Sequence, residues 1–441
     1  MRSPTPAKSA IEVAVIRKVT WRLLPFLMLA YFIAFVDRVN SGFAALQMNH
    51  DIGLSQAAFG LGAGIFYISY VLCEVPSNLA LEKVGARLWI ARIMVTWGLV
   101  SALMALVVGP YSFYAVRFLL GAAEAGFFPG VILYLTYWFP AEYRGRIVAL
   151  FMVAIPLSSL IGSPISAAML QTDGWMGLHG WQWMFILEAI PAVMMGIACL
   201  FVLPDRPAKA GWLTTAQRAW LTEKLAGETA RARTAPHMPL LKIMTNKYVL
   251  TLALVYAGSS GVSQALSLWQ PQMLKSFGLT NMQVGLLNGI PFAVASAAMI
   301  WWGRHSDRVR ERVWHTALPL GLSAVALASA SAATTVAPFI VILCLILVGT
   351  YALKGPFFAL SSEWLAGTAA AAGLAQINAL GNLAGFVDSF LIGSIEGATG
   401  SYALALLPLV LIAAIGCLAV LLLGHGQPVR DPEMPPAPVH H

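Results

Sequence analysis

Eight ionisable side chains fall where the chain is otherwise apolar: Asp37, Arg38, Glu74, Arg117, Glu124, Glu188, Lys354 and Asp388. Glu363 and Glu396 lie nearer the ends of apolar runs. A charge in the middle of a hydrocarbon-length segment costs about 2.5–3.5 kcal/mol even on forgiving insertion scales, and such residues usually face a water-filled path. The types present suit anions and protons. A planar guanidinium forks onto a carboxylate, and a carboxyl in a poorly hydrated cavity can exchange a proton near neutral pH. All eight His lie in loops, tails or segment ends, so intramembrane proton exchange would fall to carboxylates.

Spacing says which of these groups can act together. Arg117 and Glu124 are seven apart, hence on one helical face and about 10 Å apart along the axis. Neighbours Asp37 and Arg38 point about 100° apart, so they face different partners. Charge balance places Asp37 near Arg117 and Glu124, with Arg38 turned to a central cavity; the alternative is a purely structural network of the four. Lys354, in TYALKGPFFAL, reads either as a substrate ligand or as an ion-pairing or snorkelling residue. With Arg38 or Arg117 it would give a cavity two cationic poles, suited to a dianion or a carboxylate with a second anionic or hydroxyl end. Asn378 and Asn382, four apart, share a face and could bind substrate oxygens or bond between Gly-rich helices. Tyr70, four before Glu74, is the best of the aromatics Tyr31, Tyr70, Trp269 and Trp364 that could line a cavity, packing being the alternative. Glu74 and Glu188 read as structural, and Asp388 as a second proton site or a partner for Lys354.

The elements that hold these residues are membrane helices. The 441 residues are 59% hydrophobic and only 10% charged, against about 25% charged in soluble domains, and the mean hydropathy is +0.75. Apolar residues come in runs long enough for a core about 30 Å thick. Twelve are expected, near 23–45, 59–81, 88–108, 112–136, 147–170, 181–203, 248–273, 283–303, 315–334, 337–359, 370–394 and 402–424. Barrel strands would be about ten residues and alternating. The first run is too long for a signal peptide, carries a charge pair and lacks a cleavage site. With the N-terminus inside, 23 of the 27 Lys and Arg fall on the cytoplasmic side, three (Arg38, Arg117, Lys354) within segments and only Lys275 outside. That is a strong positive-inside pattern, predicting cytoplasmic termini. The net charge of +8 therefore reports topology, not nucleic-acid binding. The four Cys fall in apolar spans without metal-ligand or disulfide spacing.

A polar interruption at 204–247, with eight Lys and Arg, separates a six-helix half at 23–203 from another at 248–424, between a basic tail at 1–22 and a tail at 425–441. Within it, 211–225 reads as a surface helix capped by Thr214 or Thr215. The loops after spans two and eight match: NLALEKVGAR and GRHSDRVRER each place an acid before a base, Glu82-Lys83 and Asp307-Arg308, with a second base five after the acid, Arg87 and Arg312. A six-plus-six duplication is a transporter layout.

This loop pattern resembles that of the major facilitator superfamily, with Asn78 and Glu82 departing from the usual Gly and Asp. FVDRVN (35–40), EVPSNLALEKVGAR (74–87), RFLLGAAEAGFFPG (117–130) and WFPAEYRGR (138–146) are similar to its anion:cation symporter family, which includes bacterial tartrate, phthalate and sugar-acid permeases. The resemblance spans essentially the whole chain. It implies an all-α fold of twelve transmembrane helices that imports an organic anion with protons across the bacterial inner membrane, as a monomer needing no cofactor or metal. It makes Asp37 and Glu124 the proton-carrying candidates, Arg38, Arg117, Lys354, Tyr70, Asn378 and Asn382 the substrate-binding set, and Glu82, Lys83, Arg87, Asp307, Arg308 and Arg312 the gating set. The rivals are an antiporter or exporter on the same fold, and a sensor, for which the central loop and Pro-rich tail look too small. No phosphate-cradling loop or nucleophile motif points to an enzyme.

Overall fold

The computed structural model describes residues 9–233, 244–365 and 368–424. Eleven helical stretches are long and apolar enough to cross a membrane: α1 (Ala10–Asp51), α2 (Gln56–Val84), α3 (Ala86–Leu106), α4 (Pro110–Thr136), α5 (Ala141–Thr172), α6 (Gly180–Val202), α7 (Lys247–Lys275), α8 (Asn281–Val309), α9 (Val313–Ala332), α10 (Val336–Trp364) and α12 (Tyr402–Gly424). The twelfth crossing, α11 (Thr368–Thr399), is interrupted by Gln376, Asn378, Asn382, Asp388 and Glu396. It tolerates them because it packs along α2 and α7 instead of facing lipid on all sides.

Packing repeats between the halves. α3 lies on α6 and α2 on α4 in the first; α9 lies on α12 and α8 on α10 in the second. The halves meet where α2 packs on α11 and α5 on α8, pairs that the duplication exchanges, and where α1 meets α7. The end that carries the central loop and the α2–α3 and α8–α9 turns is called here the basic end, and the opposite one the far end. At the far end Asn288 of α8 donates to Ser163 Oγ of α5 at 2.7 Å. α1 and α7 touch at Gly42, where a Cβ would overlap the Leu268 carbonyl. Small residues allow such backbone approach, and dispersion follows. The far end is therefore closed.

Several ends differ from the expected ones. α1 begins at Ala10, well before 23, because Ser9 Oγ accepts from Glu12 N at 3.3 Å and the Tyr143 hydroxyl donates to Glu12 at 2.8 Å. Those first turns project beyond the apolar segment. α4 breaks after Glu124, with Gly126 at φ +85°, a conformation that glycine adopts without strain. α7 carries a π-helical turn at Ala257–Gly261, a local irregularity frequent at functional sites.

In the central loop the expected surface helix forms; residues 234–243 lie outside the described residues. Thr214 Oγ1 accepts from Gln217 N at 3.3 Å and opens a helix at Thr215–Arg233. It docks on the first half: Trp212 stacks on Trp138 with centroids 5.6 Å apart, Arg144 pairs with Glu228 at 2.9 Å, and Lys224 pairs with Glu142 at 3.2 Å. Arg144 also donates to the Phe139 carbonyl at 2.7 Å, which satisfies an orphan acceptor where α4 ends.

Candidate binding site between the halves

A central cavity draws on both halves. Tyr31, Phe35, Arg38 and Tyr70 line it from the first, and Tyr256, Tyr351, Lys354, Asn378 and Asn382 from the second. A contiguous pocket beneath Arg38 reaches Arg117, Glu124 and Tyr67. Five of the six expected substrate-binding residues thus share one cavity, and the sixth, Arg117, lies directly behind it.

Arg38 organises the first-half wall. Its Nε donates to Glu124 Oε1 at 2.8 Å, and its Nη2 lies 2.5 Å from the same oxygen. The Arg38 side chain is 20% exposed and that of Glu124 only 3%, so the cation faces the cavity and the carboxylate lies behind it. The guanidinium carbon is 4.9 Å from the centroid of Phe35 and 5.5 Å from that of Tyr70, within cation–π range. Arg117 is buried, donating to Ser41 Oγ and the Ala63 carbonyl at 3.2 Å each. Lys354 supplies the second pole: it is 6% exposed, with Nζ 4.4 Å from the Tyr351 centroid and no ion pair among the described residues.

Asp37 lies near Arg117 and Glu124, in one pocket with them, as charge balance suggested, but it makes no ion pair with Arg117. Its carboxylate accepts from Trp97 Nε1 at 2.6 Å, from Asn40 Nδ2 at 2.9 Å and from the Ser101 hydroxyl. Trp97 and Ser101 are four apart on α3, so one face of that helix presents both donors. Neutral donors satisfy Asp37, and the mid-helix acid ties α1 to α3. The divergence of Asp37 from Arg38 and its nearness to Arg117 and Glu124 hold; its direct hydrogen-bond partners are the neutral ones.

Glu74, read from the sequence as structural, accepts from Asn378 Nδ2 at 2.7 Å across the interface of the halves. Glu188 accepts from Ser166 Oγ at 2.7 Å, and its other oxygen is buried without a partner. Asp388 does not pair with Lys354; it is buried against α7. Trp269 packs on Phe59 at 5.3 Å and Trp364 on Tyr248 at 5.1 Å; neither lines the cavity.

At the basic end, Arg312 pairs with Asp307 at 2.9 Å and approaches Glu363 at 3.7 Å, all within the second half. Arg308 is exposed. The first-half copy is assembled differently: Glu82, Lys83 and Arg87 are exposed and show no ion pair among the described residues. Asp205 instead accepts from the Arg87 backbone N–H at 3.1 Å, an acid at the N-terminus of α3. At Glu311, burial works to raise the carboxyl, but the hydrogen bond with His315 and the N–H groups of Trp314 and His315 outweigh it and hold it below the usual range.

The polar stripe of α7 is not among the residues expected to line the cavity. Ser260, Ser263, Gln264 and Ser267 all line the cavity, and their three-to-four spacing on an apolar helix was the available signal.

Twelve helices in two duplicated halves around a charged interfacial cavity define a membrane transporter. The Major Facilitator Superfamily profile matches residues 27–387, and the chain belongs to that family. It is 50% identical over 433 residues, 98% of this chain and 99% of the other, to an Agrobacterium vitis protein named "Putative tartrate transporter". It is 39% identical to a protein named "Quinolone resistance transporter" from Acinetobacter baumannii, covering 92% of this chain and 94% of that one. Among solved structures, the xylose transporter XylE from E. coli in a partially occluded inward-open conformation superposes with a TM-score of 0.72 at 14% identity, over 93% of this chain and 98% of that one. That likeness concerns the fold.

Proposed function

We propose that the protein imports a small organic anion of the tartrate type across the bacterial inner membrane, driven by protons, with both termini and the basic end in the cytoplasm. The observation that carries this reading is the Arg38–Glu124 pair at the cavity wall, opposite Lys354. An entering carboxylate competes with Glu124 for Arg38. Protonation of Glu124 frees the guanidinium, so proton and anion enter together. Lys354 receives the second anionic or hydroxyl end, with Asn378, Asn382 and Tyr70 beside it. Arg117 stabilises the charge behind Arg38, and Asp37 is the second proton-exchanging carboxyl, its release loosening α1 from α3. Asp307, Arg308 and Arg312 belong to the cytoplasmic latch, with Glu82, Lys83 and Arg87 in its first-half counterpart. Closure at the far end makes the present arrangement inward-facing, one state of an alternating-access cycle.

The test is external alkalinisation of proteoliposomes given tartrate, phthalate, galactonate, benzoate and succinate in turn. Alkalinisation with one acid, lost in Glu124→Gln, supports proton-coupled import. Binding without alkalinisation by any acid would sink it. The resistance transporter among the relatives favours a second reading, export of an organic anion through the same cavity; substrate-dependent acidification outside under an outward substrate gradient would select it.

A further inference from the structure

Asp388 has no part in the cavity chemistry, yet it is 3% exposed in a helix that an acid burdens. Its Oδ2 is buried without a hydrogen-bond partner and lies so close to Gly261, in the π-helical turn of α7, that a Cβ there would collide with it. One turn along each helix, Gln264 meets Gly385, and Gln264 Oε1 is also buried without a donor. One Gln264 amide N–H is committed to Ser260 Oγ at 2.7 Å. Two orphan acceptors therefore lie along one helix–helix seam; the neighbouring Ser389 Oγ is buried without a partner as well, and no donor reaches Asp388 Oδ2.

The surroundings offer no counter-charge. α7 presents Gly261, Ser260 and Gln264. α2 presents Tyr67, whose Cζ, the carbon that bears the hydroxyl, lies against Gly385, and which lines a pocket with Arg38, Arg117 and Glu124. On α11 itself, Glu396 lies two turns on. Among the described residues no Lys, Arg or His pairs with Asp388. An ionised carboxylate without donors in such a place is strongly disfavoured, whereas a carboxylic acid brings its own donor.

The location gives this acid a role. Asp388 is flanked on α11 by Phe386, which packs on Gly64, and by Ser389 and Gly393, which pack on Gly60. These are the α2–α11 contacts that must separate when the far end opens. Opening hydrates this stretch, and a hydrated Asp ionises at neutral pH.

We propose that Asp388 is a proton-binding site that controls closure of the far end: closure traps it dry and protonated, and opening releases the proton. The proton stays on the side it came from and is not transported, so the site is separate from Asp37 and Glu124 and stands whether or not transport is proton-coupled. Where open Asp388 is ionised, closure takes up one proton, and the open-to-closed ratio rises about tenfold per pH unit through this group.

The experiment places spin labels at Ile52→Cys and Leu279→Cys, in the far-end turns of the two halves, with the native Cys replaced by Ala. Far-end distance distributions are recorded against pH in lipid nanodiscs. The expected result is that Asp388→Asn, a neutral isostere of the acid, lowers the pH dependence of opening by one proton and favours the closed state. Infrared difference spectra of the same proteins should show one protonated-carboxyl band at neutral pH that Asp388→Asn removes. An unchanged pH slope, or the absence of that band, overturns the proposal. So does closure driven by Na+ at constant ionic strength and lost in Asp388→Asn, which would make the seam a metal-cation site.

Discussion

Glu124→Gln is the sharpest test of the proposed competition, because in that scheme it removes the charge that the substrate displaces from Arg38. In the native protein, Arg38 makes two close contacts to one Glu124 oxygen, at 2.8 and 2.5 Å. A hydrogen bond to a charged group contributes about 1.5–3 kcal/mol net. An anion that takes Arg38 from Glu124 loses that amount from its own binding. Gln at 124 still offers an amide oxygen but no charge, so most of the competition disappears. Since about 1.4 kcal/mol is tenfold, affinity for the anion should tighten about tenfold to hundredfold at neutral to alkaline pH. Acidification protonates Glu124 and should tighten the native protein toward the same limit, whereas the variant should bind equally well throughout. Calorimetric titration of purified protein with the acid identified by the liposome assay, over a pH series, reads both effects. A variant that binds no tighter at alkaline pH, or that keeps the native pH dependence, would refute competition for Arg38.

Lys354→Met should weaken a dicarboxylate by about 1.5–3 kcal/mol, the contribution of a hydrogen bond to a charged group, and a monocarboxylate much less; equal losses for both would remove Lys354 from the second pole. Gly42→Leu should hold the far end open, because a side chain there meets the Leu268 backbone. Its expected signature is lost uptake with far-end spin labels fixed apart, and native uptake rates would contradict it. At the start of α9, Glu311 accepts from Trp314 N at 2.7 Å and His315 N at 3.0 Å. Its lowered carboxyl adds stability that is present above the usual Glu range near about pH 4.3 and is lost as the pH falls through the lower folded value. Glu311→Ala should cost about 1 kcal/mol of a helix cap, seen as a lower melting temperature near neutral pH and little difference in strong acid.

Much of the architecture was legible because a bilayer imposes one length scale. All twelve apolar runs became crossings, and the matched acid–base loops marked a duplication that recurs in the helix packing. Thr214 was legible as a cap, since its bond to Gln217 is local. What escaped depends on distance and rotation. Charge balance says which charges lie near one another, not which touch, so it brought Asp37 near Arg117 and Glu124 without showing that Trp97 and Ser101 supply its donors. Asn378 and Glu74 are 304 positions apart, and only the angle between α2 and α11 makes them partners. The serines of α7 were overlooked because Ser is common in membrane helices, and their shared face matters only once that face is known to border the cavity.

The docking of the central-loop helix divides the mass of the molecule unequally. The stacking of Trp212 on Trp138 and the Glu228–Arg144 and Lys224–Glu142 pairs fasten the chain as far as Glu228 to the first half. The first half is therefore the heavier rocker. A gene cut after Arg233 would yield two polypeptides, each retaining its own six crossings and the first retaining its docked helix. Co-expressed, the pieces should find one another through the α2–α11 and α5–α8 contacts, making this a protein whose covalent continuity is a convenience of synthesis more than a requirement of its motion.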